Sequence, residues 1–347
     1  MASEEQPVLR EARPEDEAGI QRCLEESFDD NPKVDPTVRH WQYHNPFGEL
    51  SAWVYDAGGR IVGHYANYPV PCLLDGEAAT AGIAVDAAVS PDFQGRRLMR
   101  PLNEALYRHS ATKGMRVSLA YPSNPIAVKG IRSAGWLEVA RLRTLVLAVD
   151  DGWMARRFKV PRVAARAARA VGFRLGRGPA GDEVGAPPEG LDGLWARFVT
   201  RHGIRNGIIR DAAWWQWRYA DSPMSAYRYF EARDGQRLAG AAAVVVREDF
   251  GGRFAYLLEL MADDGDAARR VVRAVARNVG EVSGIATVAV DDGPLHGLAR
   301  AGGLRTLPVR LEPKGLWFGF VDNAGSGSAA HLTTQPWHIG WGDLDHL

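Results

Sequence analysis

The chain has 347 residues, too many for one ordinary hydrophobic core and about right for two. Apolar residues make up 46% and charged residues 24%, as in a soluble globular protein, and 42 basic residues against 42 acidic ones leave no global field to favour nucleic acid. Cys23 and Cys72 make no metal-binding CxxC and no disulfide framework, the acidic start lacks a signal-peptide core, and no uncharged apolar run reaches the roughly 18 residues that span a bilayer; two buried free thiols in a reducing, cytoplasmic setting are expected.

Residues 8–12 read as a short strand. Pro14 and the acids after it suit a first helical turn, so a helix is expected to about residue 28. Residues 52–55 and 61–70 alternate about a turn at 56–60, the pattern of a hairpin. Residues 82–89 form the next strand. An amphipathic helix follows at 99–112, with Leu102, Ala105 and Leu106 on one face. A strand at 117–120, a helix at 125–133 and a strand at 137–149 complete the first half.

Between Ala155 and Gly178 there are eight basic residues and no acid, followed by the Gly/Pro-rich GRGPAGDEVGAPPEG. Its small alanine face favours a solvated linker helix over one that inserts into a membrane surface. The second half then repeats the first faintly. Trp41-Gln42-Tyr43 matches Trp215-Gln216-Trp217, and a helix at 266–278, a strand at 285–290 and a helix at 294–300 repeat the order of 99–135. The expected fold class is α/β with a mixed sheet, in two tandem units. Their expected bounds are 1–150 and 191–320, with a connector at 151–190. The tail, 321–347, ends in the aromatic PWHIGWGDLDHL and is expected to dock on a folded domain.

The loop Gln94-Gly95-Arg96-Arg97-Leu98-Met99 carries the chemistry. Pro101 fits only a first helical turn, which puts the helix start near Arg97 or Leu98 and leaves the N–H groups of Gly95 to Met99 unpaired. Such a terminus, with Arg96 and Arg97 beside it, suits a diphosphate; it equally describes a capped helix with surface arginines. This segment contains neither GxGxxG nor GxxxxGK[ST]. No HExxH or Cys/His cluster points to a metal, and none is expected.

Strand 82–89, this loop and helix, strand 117–120, Asn124, a short helix and Gly135-Trp136 together resemble the GNAT superfamily of N-acyltransferases. The resemblance implies that Ala87, Ala88 and Val89 face the pantetheine arm of acyl-CoA from a bulged strand. It also implies that Gln94 to Met99 grip the pyrophosphate and that Asn124 contacts the donor. Arg97 and Met99 stand where the family has small residues. The run RRLMR is similar to the enhanced-intracellular-survival branch, which also carries two such units. Ile131 falls where many members have a tyrosine general acid, so Tyr121, Ser123 or a water is expected to protonate the leaving thiolate. In the second copy Asp263, Asp264 and Asp266 replace the phosphate loop and Asp291 replaces the Asn. That copy is expected to lack the donor, its acids repelling phosphate or merely capping a helix.

Asp86 is the candidate base, the alternative being a strand acid satisfied by backbone or Arg. His64, Asn67, His44, Asp343, Asp345, His346 and the carboxylate of Leu347 are further candidates. The implied activity is transfer of an acetyl or other acyl group from acyl-CoA, as co-substrate, to a small-molecule primary amine by direct attack. The alternatives are a non-catalytic acyl-CoA-binding scaffold, or an acyltransferase fed by a carrier protein docking on the basic 155–177 segment. A homodimer fits any of these.

Overall fold

The computed structural model describes residues 6–28, 35–122, 128–129, 132, 134–172, 175, 177–312 and 315–344. In chain order its first elements are β1 (Val8–Glu11), α1 (Glu17–Ser27), α2 (Pro36–Tyr43), β2 (Ser51–Ala57), β3 (Arg60–Leu74), β4 (Glu77–Val89), α3 (Met99–Thr112), β5 (Met115–Ala120) and β6 (Leu137–Ala148). Then come α4 (Asp151–Phe158), α5 (Arg162–Gly172), β7 (Asp182–Val184), α6 (Leu191–His202), β8 (Gly207–Ile208), α7 (Ala212–Trp215), β9 (Arg228–Asp234), β10 (Arg237–Asp249) and β11 (Gly252–Ala262). The last are α8 (Gly265–Asn278), β12 (Gly284–Val290), α9 (Pro294–Ala301), β13 (Arg305–Thr306) and β14 (Leu316–Asp322). The fold is mixed α/β and divides into two compact units. No described helix is long and apolar enough to cross a membrane.

The first unit comprises Met1–Ala140 and Trp317–Thr334. Its strands run in the order β1-β2-β3-β4-β5-β14, antiparallel except for the parallel pair β4–β5. Two tight turns set the register. Gly58 and Gly59 close β2–β3, and Asp75-Gly76 closes β3–β4, each with positive φ at both loop residues as a two-residue type I′ turn requires. Period-two alternation then sorts the strand side chains. Val54, Ile61 and Ala88 pack on Ile20, Cys23 and Leu24 of α1. Tyr55, Val62, Tyr65 and Val89 face the other way, onto Leu102, Leu106 and Tyr107 of α3. Leu102 and Leu106 are fully buried, worth about 2 kcal/mol each. Asp35 caps α2 by accepting from the Thr37 N–H at 2.8 Å, with Pro36 in the first turn, and so fixes where the helix delivers Tyr43.

The second unit comprises Arg141–Leu316 and Gln335–Asp345. The same strand logic recurs: β9, β10 and β11 form an antiparallel meander, and β11 runs parallel to β12. Asp264 caps α8 by accepting from the N–H groups of Asp266 and Ala267 at 3.0 and 2.9 Å.

The bounds differ from those suggested by the sequence. Strand β14 pairs antiparallel with β5, so 317–334 completes the first unit's sheet, whereas the 191–320 reading gave its start to the second copy. Residues 151–190 are built into the second unit. Trp153 and Met154 are buried, Arg273 holds the carbonyls of Leu175, Arg177 and Pro179, and β7 pairs with β9. In α5, Val163 stays 81% exposed. Both cysteines are free and buried. Strand pairing across long separations decides these bounds, and local composition carries no trace of it.

Candidate active site

Two irregularities in β4 build the site. Along β3, Ala66 pairs with Val85 and His64 with Ala88, so Asp86 and Ala87 together oppose Tyr65. This is a β-bulge, and Asp86 takes φ +59°, a left-handed conformation that Asp tolerates better than most residues. On the other side, pairing with β5 ends at Ile83–Leu119. From residue 84 to 89, therefore, β4 has no strand partner on that side among the described residues. Backbone N–H and C=O groups along this stretch, Ala87, Ala88 and Val89 included, border an open edge.

Beyond β4 the chain turns through a 3₁₀ segment, Pro91–Phe93, into α3. The Gln94 side chain donates to the Val89 carbonyl at 3.2 Å and ties the loop to the strand end. Gly95 and Arg97 have φ of +78° and +61°. These two left-handed steps lead the chain into α3 with the N–H groups of Gly95 to Met99 donating to no backbone carbonyl of a described residue. The site is thus an edge of free strand backbone running into a helix N-terminus, a geometry that fits an extended chain ending in phosphates.

The cations are not equivalent. Arg96 lies 4.5 Å over the Phe93 ring and donates to the Asp92 carbonyl at 3.1 Å, which draws it back onto the loop. Arg97 is exposed. Leu98 and Met99 pack against the core cluster around Phe93 and Leu102. That contact explains a bulky Met99 at a position where the resemblance implied a small residue. Asn124, like Ser123 and Ile131, lies outside the described residues.

Asp86 is half-buried, and Tyr43 of α2 donates to its Oδ2 at 2.7 Å. The Tyr43 hydroxyl also lies 2.8 Å from Nε2 of His64, which is wholly buried. Burial first, and the Asp86 charge second, raise the Tyr43 hydroxyl well above its ordinary value, so it stays protonated. Burial, helped by Arg39, lowers His64 to about 3, so its ring is neutral. Tyr43 also lines a cavity of about 570 Å³ between α1, α2 and the start of β2, with Glu11, Glu17, Arg39, His40 and Glu49 on its walls. The stacked rings of His40 and His44, 4.1 Å apart, stand at the same cavity.

The other candidates divide. Tyr121 stacks on Phe318 of β14, with ring centroids 5.2 Å apart. Asn67 is a core residue. It donates to Ser110 and Ser118 at 2.9 and 2.5 Å, and Ser118 passes the chain on to Asn323 at 2.6 Å. Asp343 belongs to the second unit, where it meets Arg210; Asp345, His346 and Leu347 lie outside the described residues. In the second unit Asp263 is paired with Arg197 and Arg237, and Asp264 caps α8. Asp291, Asp292 and His296 have ligand atoms close enough to share a metal ion. Asp291, however, is held by Arg143 at 2.8 Å, and His296 meets Thr306 at 2.9 Å. Tyr43 was missed as a functional residue. Its sole sequence signal is a polar aromatic at the end of a capped helix, which reads as core.

No curated protein matches the sequence. Among solved structures, a GCN5-related N-acetyltransferase from Anabaena variabilis aligns with a TM-score of 0.63 at 11% identity, over 92% of this chain and 73% of that one. An Enterococcus faecalis protein of unknown function, described as a probable N-acyltransferase, gives 0.66 at 9% over the same shares. A GCN5-related N-acetyltransferase from Kribbella flavida gives 0.58 at 14%, over 90% and 71%. At these identities the likeness is one of fold. The family model of the acetyltransferase (GNAT) domain matches residues 8–138, a stretch that contains the bulged strand, the loop and the Tyr43–Asp86 pair.

Proposed function

We propose that the first unit is an N-acyltransferase that moves an acetyl or other acyl group from acyl-CoA to a small primary amine. The observation that carries this is the bulge: it sets Asp86 in a strand edge without a strand partner, a few residues before a helix N-terminus. Ala87 to Val89 hold the pantetheine arm by backbone hydrogen bonds. Gln94, Gly95, Arg96, Arg97, Leu98 and Met99 form the phosphate end, and Asn124 contacts the donor. The amine enters from the cavity lined by Tyr43.

The neutral amine attacks the thioester carbonyl and forms the C–N bond. An N–H of the β4 edge stabilises the tetrahedral oxyanion. Asp86 takes the ammonium proton, the C–S bond breaks, and the thiolate receives a proton from Tyr121 or a water. No resident metal takes part. The two buried free thiols support a reducing, cytoplasmic setting. The exposed basic helix α5 favours a second reading of the donor, an acyl group delivered by an acidic carrier protein.

Titration calorimetry with acetyl-CoA, followed by thiol release with a panel of amines, tests the proposal. Binding at one site and amine-dependent release are expected. Binding without release would leave a non-catalytic acyl-CoA scaffold. Release from an acyl carrier alone would move the donor to the second reading.

A further inference from the structure

The polar chain behind Asp86 has a direction. Nε2 of His64 lies 2.8 Å from the Tyr43 hydroxyl, and the Trp53 backbone stands at the ring as well. Tyr43 gives its one proton to Oδ2 of Asp86, 2.7 Å away, so its oxygen has only lone pairs to offer His64. The neutral ring therefore carries its proton on Nε2 and donates it to Tyr43.

We propose that His64 is a positioning residue that fixes Tyr43 as a hydrogen-bond donor to Asp86 and so holds the carboxylate ionised, ready to accept the amine proton. Three residues from α2, β3 and β4 then act as one oriented relay, His64 to Tyr43 to Asp86. His64 itself takes no proton, because Nε2 already carries one and the closed pocket opposes a second charge. Arg39 of α2 faces both Tyr43 and His64, and Asp16 acts on His64 from the segment before α1. The inference rests on Asp86 being the base.

Two independent readouts test it. Nitrogen-15 NMR of the histidine rings in the full chain should show His64 as the neutral Nε2–H tautomer. That result does not depend on any activity. In kinetics, His64→Leu and Tyr43→Phe should each move the acid limb of the kcat/KM profile up by about one pH unit and lower the rate about tenfold below it. The KM for acyl-CoA should not change. The double variant should lose little more than either single one. His64→Gln, whose amide N–H reaches about as far as Nε2–H, should restore the profile. An Nδ1–H tautomer, an unmoved acid limb in Tyr43→Phe, or a folded His64→Gln that behaves like His64→Leu would overturn the inference. If the wild-type chain acylates no amine, the proposed function fails, and the tautomer alone still decides the direction of the relay.

Discussion

The two units use one framework for opposite ends. Each has a bulged strand whose parallel partner stops early: β4 beyond Ile83–Leu119, and β11, with its bulge at Leu258, beyond Tyr256–Ala286. Each sets a tyrosine against a carboxylate on that strand, Tyr43 on Asp86 at 2.7 Å and Tyr219 on Glu259 at 2.9 Å. In the first unit the pair is half-buried, and Tyr43 lines a cavity. In the second the pair is sealed. Arg210, wholly buried, bonds Glu259 at 3.2 Å and Asp343 at 2.5 Å, and Arg218 holds the carbonyls of Gly342 and Leu344. A Cβ on Gly342 would collide with both Glu259 and Tyr219, so the terminal segment passes directly over the acid. The difference teaches that the bulge and the acid do not make a site by themselves. A carboxylate that a buried cation neutralises and a chain segment covers, as at Glu259, is closed to chemistry, whereas Tyr43 beside Asp86 borders a cavity.

Breaking the sealed pair should have the largest effect. Arg210→Met leaves Glu259 and Asp343 buried without their cation and is expected to destabilise the second unit by about 3–5 kcal/mol, read by chemical denaturation. A loss under about 1 kcal/mol would mean that the pair is not what closes this unit. Next comes the open pair. Asp86→Asn should lower kcat by about 10²–10³-fold with acyl-CoA affinity retained, measured by thiol release and calorimetry. Equal rates in variant and wild type would remove Asp86 from the chemistry.

Acid should weaken the fold by less. His64 has a folded value of about 3 against an ordinary 6.5, and burial also holds His338 of the second unit low. Between those values the unfolded chain binds a proton that the native His64 does not, so stability is complete above pH 6.5 and falls as pH drops. Between pH 6.5 and 5 the His64 contribution alone is about 2 kcal/mol, and His64→Gln should flatten that part of the curve. The smallest effect is expected at the loop. Gly95 has open space around a would-be Cβ, so Gly95→Val acts through its φ of +78° and not through a clash. It should weaken acetyl-CoA binding about tenfold and lower stability by about 1–2 kcal/mol.

Much of the first unit could be read along the chain. The helix over 99–112 is announced by its period and by Pro101. The β2–β3 hairpin is announced by its alternation about Gly58-Gly59, whereas the Asp75-Gly76 turn and the first residues of β4 went unread. The helix-terminal loop is announced by where that helix must begin. In the second unit the acids over 263–266 were legible as a cap, which is what Asp264 does. The partner of Asp86 was not legible, because Tyr43 lies 43 positions away and its residue type fits a core equally well. Nor was the return of β14 to β5, or the placing of Asp343 on Arg210 across 133 positions.

The sequence by itself determined what depends on neighbours in the chain: the β2–β3 turn, helix ends and strand alternation. These follow from sterics and hydrogen bonds within a few residues. Tertiary structure alone decided that Glu259 is sealed while the Tyr43–Asp86 pair borders a cavity. That choice depends on desolvation, on a cation brought from far along the chain, and on the space left after packing, and none of these is a property of a local segment.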